Sequence, residues 1–148
     1  MQKIIFIISA ALLACCLGAC KTHSKATGET NPVEIENLAG KYWKLIELEG
    51  SPLEEGKNAK EAHIILELEN NRLHGNAGCN VLAGSFQSAE PGRITFSQVV
   101  ATRMMCINME IENKLLQLFD AVDSYIVKND TLTLTKDKTT PLARFLNN

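Results

Sequence analysis

Cys20 closes the run Leu17-Gly18-Ala19-Cys20 at the end of an apolar N-terminal stretch. This is the arrangement of a bacterial lipoprotein signal: the thiol takes a diacylglycerol, the chain is cut before it, and the new amino terminus is acylated. Lys3 is the only charge before residue 21, and Ile4 to Ala19 is apolar apart from Ser9 and Gly18. Those 16 residues fall short of the roughly 20 needed to cross a bilayer, while a basic start and small residues at the cut fit a secretory signal. Residues 1–19 are therefore expected to be a signal peptide, with lipid on Cys20 anchoring the protein without spanning the membrane. Position 21 is Lys rather than an acidic residue, which favours the outer membrane, facing the periplasm, with surface display left open.

Four further cysteines sort by position. Cys15 and Cys16 leave with the signal, so Cys79 and Cys106 remain in an oxidising compartment. They form either a disulfide or a buried, unlinked pair. His74, Cys79, Met104, Met105 and Cys106 are soft-metal ligand types suited to Cu(I), but their spacing matches no standard metal motif and no metal or other cofactor is expected. Cys79 with His74 or His63 as base would be a nucleophile; no acidic orienting residue is apparent, so no catalytic residue is assigned. Arg103, beside Thr102, could take an anion or a peptide carboxylate, although structural hydrogen bonds to backbone are the favoured reading. Asn76 and Asn80 are expected to satisfy turn backbone.

Fifteen Lys and Arg stand against 17 Asp and Glu. Cleavage removes Lys3, leaving 14 against 17, or −3, which argues against a nucleic-acid partner. Lys21 to Asn37 is polar and contains Pro32. With Cys20 it reads as a flexible tether over 20–37, whose root-mean-square reach is roughly 20–25 Å. Residues 38–148 then form one domain, large enough for a core of its own.

Within that domain, strands are expected over 42–48, 62–68, 72–75, 84–87, 93–96, 124–127, 131–135 and 142–145, with turns at Gly50-Ser51-Pro52, Asn70-Asn71, Pro91-Gly92 and Lys128-Asn129-Asp130. Gly75 to Asn80 reads as tight, irregular backbone. Ile111, Leu115, Leu118, Phe119 and Val122 make one apolar stripe at helical spacing, which predicts a helix over about 109–122 with Asn108 as N-cap and Glu110 and Glu112 in the first turn. The fold class is mainly β (α+β): an antiparallel, partly open barrel with that helix packed on or plugging it.

Gly40-Lys41-Tyr42-Trp43-Lys44-Leu45, Gly75-Asn76-Ala77-Gly78-Cys79-Asn80, Thr102-Arg103-Met104-Met105-Cys106 and Leu132-Thr133-Leu134 followed by Leu142-Ala143-Arg144-Phe145 together resemble the META domain of the HslJ heat-shock protein family. The resemblance covers nearly all of 38–148. It implies a compact antiparallel, partly open β-barrel, frequent occurrence as a lipoprotein, a loose link to envelope stress and no established enzymatic activity. Gly78, Asn80, Thr102 and Arg103 are the motif residues it singles out, with a structural or binding role. The resemblance extends at fold level to secretin pilotins, small carrier lipoproteins. The expected function is a non-enzymatic, lipid-anchored envelope protein that binds or stabilises another envelope protein or lipid. A pilotin-like carrier of an acyl chain or amphipathic peptide is the alternative, and a thiol- or metal-dependent enzyme a distant third.

Overall fold

The structure is a computed structural model that describes residues 37–54, 56–88 and 90–148. The expected signal peptide, Cys20 and the expected tether as far as residue 36 lie outside the described residues. Among the described residues, nine strands and one helix follow in chain order: β1 Trp43–Leu48, β2 Ser51–Pro52, β3 His63–Glu67, β4 Arg72–Asn76, β5 Val81–Gln87, β6 Thr95–Ala101, α1 Glu110–Phe119, β7 Ser124–Lys128, β8 Thr131–Lys136 and β9 Thr140–Asn147. They make one antiparallel sheet in the order β6-β5-β4-β3-β1-β9-β8-β7, with β2 folded back on β1.

Local chemistry explains the short connections. Asn129 and Asp130 both take positive φ, 48° and 56°, the backbone that a two-residue hairpin turn requires and that Asn and Asp tolerate. Glu49 and Gly50 do the same between β1 and β2, at 50° and 78°. Along β8, Leu132 and Leu134 are fully buried while Thr131 and Thr133 are not, the alternation of a sheet with one face on the core.

The sheet curls until its two edges meet. Arg93, just before β6, bridges Ser124 of β7; the Ile94 amide donates to the Asp123 carbonyl at 3.2 Å and the Tyr125 amide to the Gly92 carbonyl at 3.0 Å. Beyond that bridge β6 and β7 part, so the barrel is only partly closed. The helix lies against β6 and β1. Its Leu115, Leu118 and Phe119 join Trp43, Phe86 and Phe145 in the core, and Phe119 meets Phe96 edge-on at 4.8 Å between ring centres. Each such side chain contributes roughly 1.5–3 kcal/mol by leaving water. The Trp43 indole, buried, donates to the Leu38 carbonyl at 2.8 Å, so the incoming chain is fixed to the core from its first described turn.

Strand β2 stands within the turn expected at Gly50-Ser51-Pro52, β9 runs two residues further at each end than the expected 142–145, and three other elements differ for visible reasons. Strand β6 extends to Ala101 rather than ending at Phe96. A bulge between β5 residues Ala83 and Ser85, with Gln98 at φ 53°, breaks its alternation. Strand β5 begins at Val81, three residues early, because Gly84 does not end it: a Cβ there would sit 3.0 Å from Val99 Cγ2, so the glycine admits β6. The helix is shorter, 110–119, and Met109 rather than Asn108 occupies its N-cap position; Asn108 still serves that end, its Oδ1 accepting the Glu110 amide at 3.0 Å. Past Phe119 the chain tightens, with the Ala121 and Val122 amides both on the Leu118 carbonyl, which keeps Val122 in the buried stripe.

Where the barrel closes, Asp123 collects charge and hydrogen bonds. Its carboxylate accepts from the Ser124 hydroxyl and from the Asp137 amide at 3.0 Å, and Arg93 lies 3.5 Å away. The Ser124 hydroxyl, then the Asp137 amide, hold the Asp123 carboxyl below the usual carboxylate range. A depressed folded-state pKa adds stability that is present above the unfolded value, about 4, and lost as pH falls through the lower folded value. Asp123→Asn is expected to be less stable than wild type at pH 7, with the difference shrinking below about pH 4. Urea midpoints across a pH series check this; curves that stay parallel down to pH 2 contradict it.

Candidate functional site

At the end of the sheet where β5 begins and β6 ends, three segments are tied together: the loop 77–80, the loop 102–109 and the first turn of α1. Asn80, almost wholly buried, is the hub. Its Nδ2 donates to Glu112 Oε1 at 2.8 Å and to the Met104 carbonyl at 3.0 Å. Its Oδ1 accepts from the Thr102 hydroxyl at 2.9 Å and the Met104 amide at 2.7 Å. Its own amide donates to Glu112 Oε2 at 2.8 Å, and its carbonyl accepts from Ala77 at 2.9 Å. Both hydrogens and both lone pairs of the side-chain amide are thus used. The Thr102 hydroxyl also accepts the Val81 amide at 3.1 Å.

A covalent bond backs the same junction. Cys79 and Cys106 are joined in a disulfide, Cα to Cα 6.1 Å, across 27 residues of sequence. A loop of that length stabilises by roughly 3–4 kcal/mol on the chain-entropy account. Gly78 takes φ +99°, which side-chain-bearing residues rarely adopt, and a Cβ there would press on the Asn58 side chain at 3.3 Å. Asn76 turns inward to accept the Gly78 amide at 2.9 Å, the turn role expected of it.

Of the motif residues, Gly78, Asn80 and Thr102 come together with Cys79 and Cys106. Arg103 does not join them. It is exposed and makes no hydrogen bond or ion pair among the described residues, so the structural bonding expected of it is corrected: the loop turns its side chain to solvent. The residues considered as soft-metal ligands do not converge as a ligand set: both cysteine sulfurs are in the disulfide, Met105 stands out from the surface, and His74 Nε2 lies 3.0 Å from Glu67 Oε1. His63, the other candidate base, stacks on Tyr42 at 4.3 Å.

Sequence reasoning missed the role of Glu112, which it read only as a first-turn acid favoured by the helix dipole. The carboxylate is buried, accepts both Asn80 donors, and sits near the positive end of the helix dipole. A signal was available: Glu112 lies three residues before Leu115 and seven before Phe119, on the apolar stripe itself.

A separate cleft of about 490 Å³ opens between β1 and the segment 53–62. It arises because β1 stays with β3 for only two register pairs before turning to its own hairpin partner β2. Its wall carries Lys44 and Glu61, paired at 2.8 Å.

The sequence from 36 to 148 matches the META domain profile. The chain belongs to the META domain family. Among solved structures, the fold is similar to that of a protein from Burkholderia xenovorans determined by NMR, at 19% identity and TM-score 0.61, covering 80% of this chain and 89% of that one. A second NMR structure, 24% identical, gives TM-score 0.58 over 75% and 92% of the two chains. A DUF4847 family protein from Bacteroides vulgatus ATCC 8482, seen by crystallography, gives 0.53 at 12% identity over 76% and 96%. These likenesses concern the fold. No curated protein matches the chain.

Two outcomes follow for the META junction. Asn80→Ala keeps the main-chain bond to Glu112 Oε2 but leaves Glu112 Oε1 and both Met104 backbone groups without their partners, so a loss of about 2–4 kcal/mol is expected in urea unfolding, against under 1 kcal/mol for an exposed change such as Arg103→Ala. A loss below about 1 kcal/mol for Asn80→Ala would show the network contributes little. Alkylation of the denatured protein should label neither Cys79 nor Cys106 until reductant is added; complete labelling without reductant contradicts the bridge.

Proposed function

We propose that this META domain protein is a non-enzymatic binding module of the bacterial envelope. Lipid on Cys20 holds it at the outer membrane facing the periplasm, and it binds or stabilises another envelope component under stress. The filled interior carries this reading. A pilotin-like carrier needs a continuous apolar cavity between helix and sheet, and that space is occupied by Leu115, Leu118 and Phe119 packed into one cluster with the strands. The cleft beside β1 is not between helix and sheet: no residue of α1 lines it, and its wall carries charged groups beside the core residues Leu45 and Ala62. With the interior closed, recognition falls to the surface. Membership of the META family and the apolar run ending at Cys20 support the same reading.

The test is made in the native host. Wild-type protein should fractionate with the outer membrane and carry the mass of a diacylglycerol and an amide-linked acyl chain on Cys20, while Cys20→Ser should be recovered without them. Wild-type protein that lacks acyl mass removes the anchored reading.

A further inference from the structure

Five of the eight exposed large apolar side chains among the described residues, Val81, Val100, Met104, Met105 and Ile107, gather at one end of the β5–β6 pair. Val81 and Val100 lie on the outer face: Val100 sits opposite Ala83, which shares a face with Val81. Met105 and Ile107 are 96% and 111% exposed, so their side chains stand clear of the fold rather than resting on it. The loop that carries them is nonetheless fixed. Met104 is bonded through both its amide and its carbonyl to Asn80, the Thr102 amide to the Val81 carbonyl at 3.0 Å, and Cys106 to Cys79. Apolar side chains displayed on a backbone ordered in advance lose little conformational entropy on binding, and methionine adapts to irregular surfaces. Arg103, with no partner among the described residues, adds one uncompensated cation.

The strand register tells which way this end faces. The incoming chain is bonded at Gly40 to the Leu66 carbonyl, 2.8 Å, near the C-terminal end of β3. Asn76, which precedes the 77–80 loop, pairs with His63 at the opposite end of β3. The N-terminal segment and the apolar loop therefore sit at opposite ends of the β3–β4–β5 sheet.

We propose that the 102–108 loop is a docking tip for another protein, which presents an apolar side-chain cluster bordered by an Asp or Glu that meets Arg103. This deepens the envelope-binding reading and rests on it for the compartment. A lipid anchor would enter the domain at the end of the sheet opposite the tip. A second copy fits poorly, because a two-fold contact through the tip would oppose two Arg103 cations.

The experiment places a photo-crosslinking amino acid at Met105 or Ile107 of the full chain in its native host, with Ile126 on β7, also exposed, as the control position. The expected result is one protein, crosslinked from 105 and 107 but not from 126, through a peptide that carries apolar residues beside an acid. Arg103→Glu should cut the yield about five-fold, and replacing the partner's acid with Lys should restore it. Crosslinks to phospholipid or to a second copy, equal yield from Ile126, no crosslink, or no recovery on charge reversal would each overturn the proposal. The acyl mass on Cys20, measured in the same cells, keeps the two readings apart: lost crosslinking with lipid in place refutes only the docking tip, and crosslinking without lipid refutes only the anchor.

Discussion

The bidentate contact between Asn80 and Glu112 sets the geometry of everything at its end of the barrel. A carboxylate on the first turn of a helix and an amide at the start of a strand meet through two 2.8 Å hydrogen bonds, both in a buried setting. Such a contact is far more directional than the apolar packing that surrounds it. Leucines and phenylalanines would accept several rotations of the helix over the sheet; the Asn80–Glu112 pair accepts one. The remaining valences of Asn80 then fix the 102–104 segment, so helix, sheet and loop share a single reference point. A buried polar hub of this kind is costly when any member is missing, which ties loop shape to helix position.

The disulfide reinforces the junction by a different physical route. The hydrogen bonds specify where groups sit in the folded state, whereas the cross-link restricts the unfolded chain. Its two ends lie immediately beside the hub, at Cys79 next to Asn80 and at Cys106 two residues past Met104, so both devices act on the same two loops. The barrel's other junction, around Asp123, Ser124 and Arg93, relies on side-chain and backbone bonds alone and is more exposed. The two ends of the sheet are thus secured unequally, and the more heavily secured end is the one that displays the apolar side chains.

Much of the architecture was readable where local pattern and tertiary environment agree. The Thr131–Leu134 alternation and the Ile111–Val122 stripe each point to one element and one buried face, although Thr135 is buried beside Leu134 where the register shifts. The antiparallel, partly open barrel with a packed helix followed from them. Legibility failed where a residue served a distant partner. Strand β6 hides its register because Gln98 switches the faces mid-strand, an accommodation to β5 that no window of β6 sequence contains. Gly84 looked like an end and is a clearance. Glu112 looked like a dipole partner because its other partner is 32 residues away. Arg103 drew a structural reading from its neighbours in the motif, yet it is the neighbour the network excludes. The sequence named the motif's residues; which of them face inward is decided by Asn80 having no valence left.

The covalent ring has a mechanical meaning as well. Residues 79 to 106 enclose the whole of β5 and β6, so 27 residues of sequence separation are short-circuited by one sulfur pair. Stretched, that segment would add roughly 90 Å of contour; with the bridge in place it adds almost none. A pull on the N-terminal side enters at Leu38 and loads β1, which is hydrogen-bonded to β3 and β9 on its two sides. Force would have to strip that central strand before it reached the ring, and the ring would then refuse to lengthen. Under tension, the last part of this molecule to lose its shape is the part that carries the 102–108 loop.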